Sequence, residues 1–163
     1  TTKRSNFSNK EEVFDELVRL SAREEACSTA LLAQAEHSAL MGYVLLDEED
    51  SRTLFERFDP DTIVTVARSV ADVLAERSGR LSMIAYYDFT PDSDHLVQFR
   101  VRRSHALKSY DVRRIIDRFG IENGGGHEGA IGFRFGREAI PDFDAYTAEL
   151  ISGIEADFAE SGA

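Results

Sequence analysis

At 163 residues and 18.2 kDa, the chain has the length of one domain, or of one domain with a substantial extension. Its 19 basic and 30 acidic residues leave a net charge of −11 and a pI near 4.8, which excludes a general polyanion coat or a polybasic membrane binder. A hydrophobic content of 42% suffices for a core, and the single Cys27 excludes an internal disulfide framework or a metal–thiolate cluster.

Ser8-Asn9-Lys10-Glu11 has the form of a capping box, and Val13, Leu17, Leu20, Cys27 and Leu31 follow with helical spacing. This predicts one long helix, or two with a break, from about residue 9 to about 40, stopped by Gly42. Tyr43–Leu46 reads as a short buried strand, and the acidic Asp47–Asp50 as a solvated turn. Asp59-Pro60 opens a helix whose Ile63, Val66, Ala67, Val70, Val73 and Leu74 recur on one face until Ser78-Gly79. Leu81–Phe89 and Leu96–Arg103 read as strands around the turn Pro91-Asp92-Ser93 and pair as an antiparallel hairpin. In the second, Val97, Phe99 and Val101 alternate with Gln98, Arg100 and Arg102. Val112, Ile115, Ile116 and Phe119 form a helix closed by Gly120, Ala130–Phe135 a strand, and Pro141 opens the last helix. The fold class is therefore α/β: a small mixed β-sheet flanked by helices and preceded by a long N-terminal linker helix. Residues 1–58 are expected as the helical extension and residues 59–163 as the α/β domain. No apolar run approaches the 18 residues of a spanning helix, and Thr1–Lys10 is polar, so neither a membrane span nor a signal peptide is expected and the cytoplasm is the default location.

The charge is uneven. Between Arg100 and Arg137, eight Arg and Lys108 face Asp111, Asp117, Glu122 and Glu128, a local balance of +5 within an acidic chain. Such asymmetry points to an anion site or to an Arg-rich face without a ligand. Only three lysines (Lys3, Lys10, Lys108) accompany sixteen arginines, and an acidic surface of this kind suits solubility at high salt.

Gly124-Gly125-Gly126-His127 lies between a helix and a strand, and is read as a loop. Three glycines contribute no side chain to a core but permit close backbone approach, and exposed amides bind phosphate or carboxylate oxygens. Arg103, at the end of an apolar strand face, carries a guanidinium fork suited to phosphate, beside Arg102 and Ser104. Ser104 either caps the next loop or donates to the same anion. His37 in the long helix, and His95 and His105 at strand ends, read as solvent or packing residues. Asp94 and His95 read as turn residues, and Cys27 as a small buried hydrophobe.

The stretch Arg103-Ser104, Asp111-Val112, Gly124–His127, Ala130, Gly132 and Phe133 resembles the C-terminal, DHH-associated substrate-binding domain of the DHH phosphoesterases, which include nanoRNases, cyclic-dinucleotide phosphodiesterases and single-strand exonucleases. Against the family pattern S-x-R-S, D-V-x-x-I-A and G-G-G-H-x-x-A-A-G-F, Val101 stands for the first Ser and Ile131 for the second Ala. The resemblance implies a domain that grips the phosphate or nucleotide end of a short single-stranded oligonucleotide or cyclic dinucleotide. By it, Arg103, Ser104, Gly124, Gly125, Gly126, His127 and Arg102 form the binding site. It further implies that catalysis belongs to a separate DHH domain holding Mn²⁺, on the same or another chain. No Asp-x-Asp near the start and no Asp-His-His is present, so no catalytic or metal-binding residue is expected here. The alternative is a non-catalytic nucleotide- or RNA-binding module akin to the C-terminal domain of alanyl-tRNA synthetases, which the −11 charge disfavours for broad RNA contact. A structural or homodimerising domain is the third reading.

Overall fold

All seven residues of Leu81–Tyr87 are buried, which makes this segment the central strand of the sheet. The computed structural model describes residue 15 and residues 21–163. The described elements are α1 (21–32), β1 Glu36–His37, β2 Met41–Leu45, α2 Glu48–Arg57, α3 Pro60–Ser78, β3 Leu81–Tyr87, β4 Leu96–Arg103, α4 Arg113–Phe119, β5 Gly124–His127, β6 Ala130–Gly136 and α5 Phe143–Ser161. The strand order is β1-β2-β3-β4-β6-β5. Only β2 and β3 run parallel, so the sheet is mixed.

Alternation along the strands gives the sheet two apolar faces. Met83, Ala85, Val97, Phe99, Val101, Ile131 and Phe133 meet Ile115 of α4 and Leu150, Ile151 and Ile154 of α5. Phe99 stacks on Phe133 across β4 and β6, with ring centres 5.0 Å apart. On the other face Val44, Ile84 and Tyr86 meet Cys27 and Leu31 of α1, Leu54 of α2, and Val66, Val70 and Leu74 of α3. Burial pushes the Cys27 thiol up to about 11, consistent with a packing role. α3 lies over β2, β3 and β4.

The signals around α3 behave as expected: the Asp59 side chain accepts from Thr62 N, Pro60 begins the helix, and Gly79 ends it at φ +68°. β3 and β4 form the expected antiparallel hairpin. α5 begins two residues after Pro141, where the Asp142 side chain accepts from Ala145 N at 3.0 Å.

Three expectations are corrected. The N-terminal helix does not reach residue 40: it ends at residue 32, and Glu36 and His37 pair antiparallel with Tyr43 and Gly42. The helix-favouring alanines there are overridden by strand pairing, closed by Ser38 N donating to Met41 O at 2.8 Å. His37 therefore stands on an exposed strand, and Gly42 is a strand residue rather than a helix stop. A Cβ at Gly42 would lie 3.2 Å from the His37 ring, so close packing accounts for the glycine. Finally, Asp47–Asp50 is no turn: the Asp47 side chain caps α2, accepting from Asp50 N at 2.8 Å, and the acidic residues that follow occupy the favourable first turn of the helix. The sheet also crosses the expected division at residues 58/59, since β1 and β2 pair into it. The capping box at Ser8–Glu11 and the apolar positions Val13, Leu17 and Leu20 lie outside the described residues.

Candidate functional site

The β5–β6 hairpin brings the glycine motif to the sheet edge. Gly124–His127 is not a loop but an exposed edge strand, with Gly124 opposite Phe133, Gly125 opposite Gly132, Gly126 opposite Ile131 and His127 opposite Ala130. Strand propensity is lacking in three glycines, and pairing with β6 supplies what the sequence lacks. Gly126 has φ +148°, and a side chain there would run into the Ala130 carbonyl. The hairpin tip is held on two sides: Arg103 N donates to Gly129 O and Val112 N to Glu128 O, each at 3.0 Å.

At this tip a cavity of about 260 Å³ is lined by Arg102, Arg103, Ser104, His105, Lys108, His127, Glu128 and Gly129. A Cβ placed on Gly129 would lie 3.3 Å from His127 Cε1 and 3.6 Å from Arg103 Nε, so the two side chains bracket this glycine. Arg103 Nη1 donates to the carbonyls of Lys108 at 3.0 Å and Tyr110 at 2.6 Å. These bonds fix the guanidinium plane and leave Nε and Nη2 without a partner among the described residues. Gly129 N donates to His127 Nδ1 at 3.1 Å, which assigns the imidazole proton to Nε2. The ring thus offers a single N–H donor away from the hairpin.

The other expected residues are placed differently. Ser104 is fully buried, and its hydroxyl oxygen accepts from Ala106 N at 3.0 Å, so it shapes the turn after β4. Arg102 borders the same cavity but stands on the sheet face opposite Arg103, where its guanidinium pairs with Asp72 of α3. Gly125 and Gly126 line a separate groove of about 450 Å³ against α4, with Asp111, Arg113, Arg114, Ile116 and Asp117. Gly124 packs against Phe133 and Ile121. Asp111 is held below its usual range by its bidentate contact with Arg113, at 3.0 and 2.7 Å. His105 Nδ1 lies 2.5 Å from Glu76 Oε1, and His95 is an exposed turn residue. Lys108 was not singled out from the sequence; its signal is that it is the chain's one lysine after Lys10, five residues beyond Arg103.

Much of the basic segment is neutralised locally. Arg113 pairs with Asp111, Arg114 and Arg118 with Asp157, Arg118 also with Glu160, and Arg137 with Glu48. Among the described residues, no carboxylate lies within 4.0 Å of the charged groups of Arg100, Arg103, Lys108 or Arg134. No three His, Cys, Asp or Glu side chains among the described residues are grouped as a metal ion would require. No described helix is long and apolar enough to cross a membrane.

No family model matches the sequence, and no curated protein is similar to it at a significant level. Solved structures do match. A pGpG-specific phosphodiesterase, PggH from Vibrio cholerae, aligns with a TM-score of 0.53 and 18% identity over 88% of this chain and 42% of its own. The exonuclease RecJ bound to manganese aligns at 0.52 and 22% identity, over 86% of this chain and 30% of its own. RecJ from Thermus thermophilus in complex with Mg²⁺ aligns at 0.53 and 23% identity, over 86% of this chain and 18% of its own. The chain thus spans less than half the length of these proteins. It shares the fold of the aligned parts of these phosphodiesterase and exonuclease structures, in line with the resemblance carried by the motifs from Arg103 to Phe133.

Proposed function

We propose that this chain is the substrate-binding part of a DHH-type phosphoesterase, whose cavity at the β5–β6 tip holds the phosphate of a nucleotide or of a short single strand. The observation that carries this reading is the bracketing of Gly129 by Arg103 and His127. Arg103 supplies Nε and Nη2 donors on a fixed plane, His127 supplies Nε2–H, and Lys108 adds a point charge on the same cavity. Donors of these kinds match phosphate oxygens, and directional bonds of this length survive salt that screens surface charge within about 3 Å at 1 M. Glu128 on the same rim repels phosphate, which favours the Arg103–Lys108 side for the anion.

In this reading Mn²⁺ is held by the DHH domain rather than by this chain, whose described residues group no three His, Cys, Asp or Glu side chains. The chemistry belongs to a DHH domain on the same or another chain, and this chain binds and orients.

Calorimetric titration with a nucleoside monophosphate tests the reading. Wild type binds, and Arg103→Ala and His127→Ala each weaken binding about tenfold, one lost charge-assisted contact apiece. Manganese with a short oligonucleotide gives no hydrolysis by the purified chain. Unchanged affinity in both variants, or metal-dependent turnover, refutes the assignment.

A further inference from the structure

The two remaining unneutralised arginines of the basic segment, Arg100 and Arg134, meet elsewhere. They line a trough of about 170 Å³ on the sheet face opposite α5, together with Tyr86, Gln98, Phe99, Gly132 and Phe133. Register explains the convergence. Arg100 stands opposite Gly132, and Arg134 opposite Gln98, so the two guanidinium stems are diagonal neighbours on adjacent strands. α3 covers β2, β3 and β4, leaving this face of β6 and β5 outside its cover.

The electrostatics of the trough are unfavourable as it stands. Arg100 is half-buried, and its guanidinium is held below its ordinary range, first by desolvation and then by the positive charge of Arg68 on α3. Neither Arg100 nor Arg134 has a hydrogen-bonded carboxylate among the described residues. The nearby acids are engaged: Asp72 pairs with Arg102, and Asp88 accepts from Gln98 Nε2 at 3.0 Å and from Thr90 N at 2.8 Å. A partly desolvated cation beside like charge costs stability unless an anion joins it.

The floor is also bare. Arg100, Gly132 and Gly125 form one cross-strand row, and Arg102, Ala130 and His127 the row two residues further along. The trough and His127 therefore lie on the same register face, about 7 Å apart along β5, with no side chain larger than a methyl between them on β6 and β5. An extended anionic chain can lie against that backbone without a clash.

We propose that the Arg100–Arg134 trough is a second anion site, which takes an internal phosphodiester of a single-stranded nucleic acid whose terminal phosphate sits at Arg103 and His127. This rests on the reading of the tip cavity as a phosphate site, and it adds to it a preference for strands over mononucleotides.

The test compares a short thymidylate oligomer bearing a terminal phosphate with thymidine monophosphate, titrated into the full chain over a range of salt. Arg134 is exposed, so Arg134→Gln and Arg134→Glu leave folding intact; Arg100→Gln is added to the first. Arg100→Gln with Arg134→Gln weakens oligomer binding roughly ten- to a hundredfold and flattens the slope of log affinity against log salt by about 1.4, two contacts at about 0.7 each. Arg134→Glu weakens it further, and none of the three changes the affinity for the mononucleotide. Arg103→Ala weakens both ligands. An oligomer affinity untouched by the trough variants, with Arg103→Ala still effective, overturns the trough and spares the tip cavity. Trough variants that act while Arg103→Ala does nothing overturn the tip cavity instead. A wild type that binds neither ligand overturns both, and equal weakening of both ligands by the trough variants overturns the strand preference.

Discussion

The Tyr110 hydroxyl donates to Asp157 Oδ2 at 2.7 Å, joining the residue that leads into α4 to the last turns of α5, 47 residues later. Tyr110 is fully buried and Asp157 nearly so. Burial and the acceptor carboxylate push the phenol up, while the Arg114 side chain first, and Tyr110 and Arg118 after it, hold Asp157 below the usual carboxylate range. This cluster carries α4 and the end of the loop that follows Arg103 against α5, so it supports the site without touching a ligand.

Asp157→Asn keeps an oxygen for Tyr110 but leaves the arginines without their anion. Both arginines are substantially exposed, which limits the loss to about 2 kcal/mol at pH 7, or roughly 6 °C in Tm. The sign with pH follows from the lowered carboxyl. Its contribution is complete above the unfolded value of about 3.9 and fades as pH falls through the lower folded value. Urea unfolding of both proteins from pH 7 downward therefore shows a gap that narrows below about pH 4. Equal stability at pH 7, or a gap constant down to acid, contradicts the assignment.

Ser51 bridges α2 to the central strand. Its buried hydroxyl donates to Leu46 O at 3.1 Å and accepts from Tyr87 N at 2.9 Å. Ser51→Ala strands a buried backbone N–H, at a cost of about 1–3 kcal/mol by chemical denaturation. Thr53→Ala, which removes an exposed bond to Glu49 O on the same helix, stays within about 0.5 kcal/mol. Equal effects at the two positions would show that α2 is held by its apolar contacts alone.

Adjacent glycines of β5 differ sharply. At Gly125 a Cβ meets nothing within 4 Å, whereas at Gly126 both the positive φ and the Ala130 carbonyl oppose one. Gly126→Ala costs about 1–3 kcal/mol and frees the edge strand, seen as faster amide exchange in residues 124–131. Gly125→Ala leaves exchange unchanged. Similar behaviour of the two variants would mean that β5 is not held in this register.

What the sequence disclosed was local. Asp59-Pro60 and Gly79 bound α3 because capping needs only neighbouring residues, and Val97, Phe99 and Val101 declared their face by alternation. α2 was hidden because its acidic first turn resembles a solvated turn and only Ser51 and Leu54 are buried in it. β5 was hidden because its strand character comes entirely from β6. The site divides in the same way. Arg103 and His127 were visible through the motif around them, but the diversion of Arg102 to Asp72 depends on a contact across 30 positions that no local pattern encodes. The trough likewise follows from the register of β4 against β6, not from the spacing of arginines along the chain.

The guanidinium of Arg103 performs two tasks at once, and a lysine can perform only one. Nη1 spans the carbonyls of Lys108 and Tyr110, which sets the path of residues 104–110 and carries Lys108 to the cavity. The remaining N–H groups then face the cavity at a fixed angle. Arg103→Lys keeps the charge, but a single ammonium cannot hold both carbonyls and still present a fork. Nucleotide affinity falls about tenfold while its salt slope stays that of wild type, because the number of positive charges is unchanged. Amide exchange in residues 104–110 rises in the free protein. Arg103→Ala loses affinity further and also lowers the salt slope by about one contact. A lysine variant that binds as tightly as wild type would show that charge alone recruits the phosphate, and that the paired carbonyl contacts of Arg103 serve only the loop.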